Sequence, residues 1–220
     1  MDGEPGPFGD LALDEFTQRL ASASPIPGGG SASAVAAALA ASLLAMVARL
    51  SLDRPKYEAY RATNEEALQI GERMRRRFLE LADEDAAAYG SFSAAMKLPR
   101  DTDEQQQQRA EELRRAARVA SEVPLAIVEE CAGLLDQVER LAGRSNLNTA
   151  SDLEVAARLC AAAGRGAAAN VRINLPHVGD ERFAGWATAR LDGLLRTIEH
   201  DMLNASERVA GGALRDSEAE

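Results

Sequence analysis

Aromatic residues make up 4% of this 220-residue chain, which holds two cysteines, two histidines and one tryptophan. Each shortage removes a class of function. Acidic side chains outnumber basic ones by 35 to 25, a net charge of −10, so the balance is wrong for following a phosphate backbone. The rings are too few for base stacking, and nucleic acid is not expected as a partner. Cys131 and Cys160 sit in apolar helical patterns without CxxC spacing, which points to buried thiols rather than a disulfide or metal ligands. His177 and His200 have no HExxH or ExxH companion, so a di-iron bundle lacks its signature and no metal site is expected. The N-terminus, MDGEPGPFGD, is acidic and broken by Pro and Gly where an export signal would be basic and then apolar, which predicts a cytoplasmic protein. No segment alternates with period two. The predicted fold is therefore all-α, a multi-helix bundle of long helices with no sheet, formed as one domain over 1–220 with 1–9 and 212–220 flexible.

What the chain does have is concentrated first in Ser24 to Leu50, SPIPGGGSASAVAAALAASLLAMVARL. Pro25 and Pro27 prevent a helix before the turn, Gly28, Gly29 and Gly30 free the backbone, and Ser31 or Ser33 is placed to cap a helix starting near Gly30. Two readings of the glycines stand side by side. They let backbones pass closely, or they leave the unpaired amides of a helix start open to an anion. The helix is nearly long enough to cross a bilayer, but its Ala and Ser gain little from lipid and no aromatic anchor follows, so no membrane is expected and the helix is placed at a bundle centre or subunit contact.

A first helix is expected over Asp10–Ala23, with Leu13, Phe16, Thr17 and Leu20 on one face. A third helix from about Lys56 carries a stripe of Tyr57, Tyr60, Asn64, Ala67, Gly71, Met74, Phe78, Leu81, Asp85, Ala88, Phe92 and Ala95 at three- and four-residue steps. Asn64 and Asp85 are polar where the stripe demands apolar. A carboxylate buried there must be hydrogen-bonded or chemically employed, and burial would move its pKa toward the range useful for acid–base work. Lys97-Leu98-Pro99 ends this helix and leaves Lys97 either solvated or facing an anion. A fourth helix spans about Thr102–Ala142, kinked or split at Pro124. The polar loop 143–152 leads into a fifth, where Ser151 and Glu154 fit a capping box, Asp152 suits the first turn, and Asn170 and Asn174 share a face near the end. A last helix covers about 181–210 with Phe183, Trp186, Leu191, Leu194, Leu195, Ile198 and Met202 as its apolar set, before a frayed tail.

Together, SPIPGGGSASA, DEDAAAYGSFSAAMKLPR, SEVPLAIVE and NLNTASDLEVAARLCAAAGRGAAANVRINL resemble the cyclodeaminase/cyclohydrolase family over about Phe16 to Leu175. That family includes the C-terminal domain of formiminotransferase-cyclodeaminase and stand-alone methenyltetrahydrofolate cyclohydrolases. The resemblance implies a folate-binding helical homodimer acting on one-carbon units, with a tetrahydrofolate derivative, mono- or polyglutamylated, as substrate and no other cofactor. It implies catalytic roles for Asp85, Lys97 and Asp152, and substrate binding by Gly28, Gly29, Gly30, Ser31, Asn148, Ser151, Asn170 and Asn174. Arg100 departs from the family's usual lysine, and no formiminotransferase domain is expected in the chain. A helical dimer that binds folate or a partner protein without catalysis, Asp85 being a satisfied core carboxylate, is the competing reading.

Overall fold

The computed structural model describes residues 6–216, and those residues fold into six α-helices and four short 3-10 turns, with no strand among them. The helices are α1 (Leu13–Leu20), α2 (Gly29–Leu52), α3 (Arg61–Met96), α4 (Asp103–Leu141), α5 (Ala150–Asn174) and α6 (Glu181–Gly211). The all-α expectation holds. α2 lies at the centre, packed against α3 and α5, while α4 joins α3 to α5 and α6 closes over α4 and α5.

α2 passes a length-and-composition test for a membrane span, yet half of its most apolar window is buried inside the bundle. Its small side chains let neighbours come close. A Cβ on Gly71 of α3 would lie 2.9 Å from the Ala41 carbonyl oxygen and 3.0 Å from the Ala45 Cβ, so at this crossing the two helices pack backbone on backbone. Phe78, Leu81, Leu44, Ile127, Leu134, Leu135, Leu153 and Ile198 fill the surrounding core. The stripe of α3 is buried or half-buried along its whole length.

Several local expectations are corrected. α1 is shorter, because Phe8–Asp10 forms a separate 3-10 turn and the chain is extended at Ala12. Leu13 points outward at 72% exposure, leaving Phe16 as the buried residue of α1. Of the expected leader, residues 1–5 lie outside the described residues, whereas Phe8 is buried and its N–H donates to Asp83 Oδ1 at 2.8 Å. The α3 stripe begins in a 3-10 turn, Pro55–Tyr60, with the α-helix starting at Arg61. α4 runs unbroken through Pro124 and is opened by a capping box of Thr102 and Gln105. The box expected at Ser151 is absent: the N-cap is Thr149, whose hydroxyl donates to the Asn146 carbonyl rather than capping the helix, Ser151 is exposed, and Glu154 pairs with Arg158 and Ser206. Trp186 is 55% exposed. The tail is docked as far as Asp216, since Tyr60 Oη donates to the Arg215 carbonyl, the Arg215 N–H to Gly143 and Arg144 Nε to the Asp216 carbonyl. Residues 217–220 lie outside the described set.

Candidate active site

The N-terminus of α2 meets the side of α3 one residue at a time. Gly28 is the N-cap, and neither Ser31 nor Ser33 caps the helix. Ser33 Oγ turns back to the Gly29 carbonyl at 2.8 Å, while Ser31 Oγ reaches the Ala82 carbonyl at 3.1 Å and Asp85 Oδ2 at 2.9 Å. The helix start at the glycine turn thus faces a carboxyl of the same chain, that of Asp85. Gly30 has to be glycine for this, because a Cβ there would sit 2.1 Å from Asp85 Oδ1.

Burial pushes the Asp85 carboxyl above the usual aspartate range, against the opposing pull of the Ser31 hydroxyl and backbone N–H. The hydroxyl has one proton and two acceptors within reach. It donates to Asp85 while the carboxylate is ionised; once Asp85 is protonated, the carboxyl can donate to Ser31 Oγ and the hydroxyl turns to Ala82. The helix start thus accommodates both protonation states without moving a backbone atom.

Asp85 opens into a cavity of about 370 Å³ between the Pro25–Gly30 turn, α3 and the end of α5. Tyr89 and Phe92 follow Asp85 at four and seven residues and so line the same wall. The opposite wall is Asn170, Ile173, Asn174 and His177, with the His177 ring 5.6 Å from that of Phe92, and α4 contributes Ala120. This is a half-apolar slot for a flat ring system, with one carboxyl positioned to exchange a proton.

Of the residues singled out in the sequence, the structure brings Gly28, Gly29, Gly30, Asp85, Asn170 and Asn174 together on this lining, with Ser31 buried directly behind Asp85. Lys97 is exposed at the C-cap of α3, about 7.5 Å of helix rise beyond Phe92 and outside the lining. Asn148, Ser151 and Asp152 lie at the other end of α5, Asn148 and Ser151 exposed and Asp152 half-buried. From Asp152 to Asn170 the helix spans about 27 Å, so in one chain Asp152 and Asp85 cannot act on a single carbon. Sequence reasoning passed over Tyr89 and His177. Tyr89 had a signal, being four residues from Asp85 on one helix; His177 had none, because Pro176–Gly179 reads only as a break.

A family model described as formiminotransferase-cyclodeaminase matches residues 12–193. The methenyltetrahydrofolate cyclohydrolase of Methylorubrum extorquens is 35% identical over 187 residues, covering 85% of this chain and 90% of that protein. The formimidoyltransferase-cyclodeaminase of Sus scrofa is 36% identical over 184 residues, and the match spans 34% of that longer protein. Among solved structures, a formiminotetrahydrofolate cyclodeaminase from Thermotoga maritima superposes with a TM-score of 0.84 at 30% identity, over 92% of this chain and 98% of that one.

Proposed function

We propose that this chain, which belongs to the formiminotransferase-cyclodeaminase family, is a folate one-carbon enzyme that makes or opens the methenyl bridge of tetrahydrofolate, as a cyclodeaminase or a cyclohydrolase. The observation that carries this reading is the Asp85 carboxyl, raised in pKa by burial and lining a cavity together with the rings of Tyr89, Phe92 and His177.

In the cyclohydrolase direction, ionised Asp85 takes a proton from the water whose oxygen bonds to the methenyl carbon. The neutral tetrahedral adduct then breaks its bond to N5, Asp85 returns the proton to that nitrogen, and loss of the adduct's hydroxyl proton leaves a formyl group on N10. In the cyclodeaminase direction, N10 attacks the formimino carbon on N5, giving up its proton, and the adduct expels ammonia after its nitrogen is protonated. Both paths need one group that accepts a proton early and donates it late, and a carboxyl with a pKa raised toward neutrality suits that use. The folate itself is the reacting group, and no step calls on a further cofactor. Lys97, beyond the end of the slot, is suited to a carboxylate of the glutamate tail.

The distant Asp152 group fits the same site through a second copy of the chain. α2 carries a surface stripe of Val35, Leu39, Ser42, Leu43, Met46 and Leu50, with Leu39 53% and Leu50 43% exposed. Two such helices packed antiparallel about a two-fold axis would cover the stripe and bring the Asn148–Asp152 end of one copy toward the Asp85 end of the other. The setting is a cytoplasmic homodimer.

The test is the absorbance of methenyltetrahydrofolate, consumed by one activity and formed from formiminotetrahydrofolate by the other. Asp85→Asn is expected to lose at least about a hundredfold in kcat. Full turnover by that variant, or no activity of the wild type on either substrate, overturns the reading. Mixing inactive Asp85→Asn and Asp152→Asn proteins should restore part of the activity if each site draws on two chains.

A further inference from the structure

α4 has one gap in its hydrogen-bond ladder. Pro124 has no N–H, so the carbonyl four residues earlier, that of Ala120, loses its helical partner. Asn174 Nδ2 donates to that carbonyl at 2.6 Å. One turn earlier on α5, Asn170 Nδ2 donates to the Gly166 carbonyl at 3.0 Å. Both recipients are carbonyl oxygens, which can only accept, so neither amide can be turned over without setting oxygen against oxygen. Each side chain gives one of its two N–H donors to the backbone, which fixes which way its amide faces, and among the described residues no donor reaches either Oδ1. Both residues line the Asp85 cavity.

We propose that Asn170 and Asn174 are specificity-determining residues that present fixed hydrogen-bond acceptors to the N–H edge of an amino-pyrimidine ring, and that Pro124, which does not line the cavity, positions Asn174. This rests on the folate reading and deepens it. A wall of acceptors selects a ligand edge made of donors. The 2-amino-4-oxopyrimidine of tetrahydrofolate has such an edge in its exocyclic NH2 and ring N–H groups. A ligand presenting ring oxygens or bare ring nitrogens there would face acceptor against acceptor. Because turning either amide over would set its oxygen against a backbone carbonyl, the two Oδ1 acceptors stay in place and cannot be exchanged for NH2 groups as in a free amide.

Calorimetric titration with tetrahydrofolate and with its 2-desamino counterpart tests this. The wild type should bind the desamino compound at least about tenfold more weakly. Asn170→Ala and Asn174→Ala, checked for helicity by circular dichroism, should each weaken tetrahydrofolate binding and shrink that ratio. Asn170→Ala serves if Asn174→Ala does not fold, since the bond it removes lies within one helix. In Pro124→Ala a backbone N–H returns to compete for the Ala120 carbonyl, and the ratio should fall while the helix signal does not. Wild-type protein that binds both compounds equally well, or a ratio retained in both asparagine variants, overturns the acceptor assignment while the folate reading survives. A ratio unchanged in Pro124→Ala overturns the positioning role. Failure of the wild type to bind either compound overturns the folate reading and this inference with it.

Discussion

The side-chain amide of Asn174 stands in for the backbone N–H that Pro124 does not have, joining α5 to α4 at the Ala120 carbonyl. Two helices are stitched where one is imperfect. Asn174→Ala leaves that carbonyl without its partner and should cost about 1–2 kcal/mol in urea denaturation. Asn174→Asp should cost more, because two acceptors then face each other. Equal stability of all three proteins would show that the Ala120 carbonyl finds water instead.

Gly30→Ala separates folding from chemistry. The added methyl meets the movable end of the Asp85 side chain rather than backbone, so the protein should fold with little change in Tm. Asp85 must swing away from Ser31, and kcat should fall by at least about tenfold. A fully active Gly30→Ala enzyme would mean that the placement of Asp85 is not needed.

The Ser31 hydroxyl holds the Asp85 pKa down against burial, so Ser31→Ala should raise it further. The activity limb that requires ionised Asp85 should move to higher pH, as read from kcat/KM against pH. Stability follows the same carboxyl. A folded pKa above the unfolded one means its contribution to stability is fully present below the ordinary aspartate value and lost as pH rises through the raised value. Asp85→Asn should therefore keep its stability where the wild type loses some over that window, while losing turnover.

Gly71→Ala tests the closest helix contact. The methyl would press on the Ala41 carbonyl and on Ala45, and α2 has no flexible side chain there to yield. Overpacking of this kind costs about 1–3 kcal/mol, measurable as a lower denaturation midpoint with an unchanged m-value. A neutral result would mean that α2 and α3 shift apart freely.

Periodicity made α3 legible, because its stripe recurs at three- and four-residue steps from Tyr57 to Ala95 with two polar members, of which Asn64 ties the helix to the Tyr60 and Arg144 carbonyls and Asp85 marks the site. The end of that helix at Met96 was equally plain from Pro99. Helix starts were harder. A serine after a glycine turn looks like a cap, yet Ser31 serves a carboxylate 54 residues away, and such a partner has no local signature. Pro124 suggested a break, and only a tertiary neighbour, Asn174, reveals why α4 continues. His177 reaches the cavity because the chain turns after Asn174, which spacing alone does not encode. Asp152 looked like part of one constellation with Asp85, but the length of α5 holds them apart.

Alanine has no rotamers to lose on burial, so where Ala41 and Ala45 of α2 meet Gly71 the helix is ordered at the expense of backbone entropy alone. A methyl side chain also has no second conformation into which to relax when pressed. The position of α2 is accordingly fixed by its contact with α3 to within the give of a close-packed crossing, and its first turn inherits that stiffness. Asp85 therefore meets a partner already held in place. The ordering of the acid–base pair with Ser31 is settled during folding, before any ligand arrives.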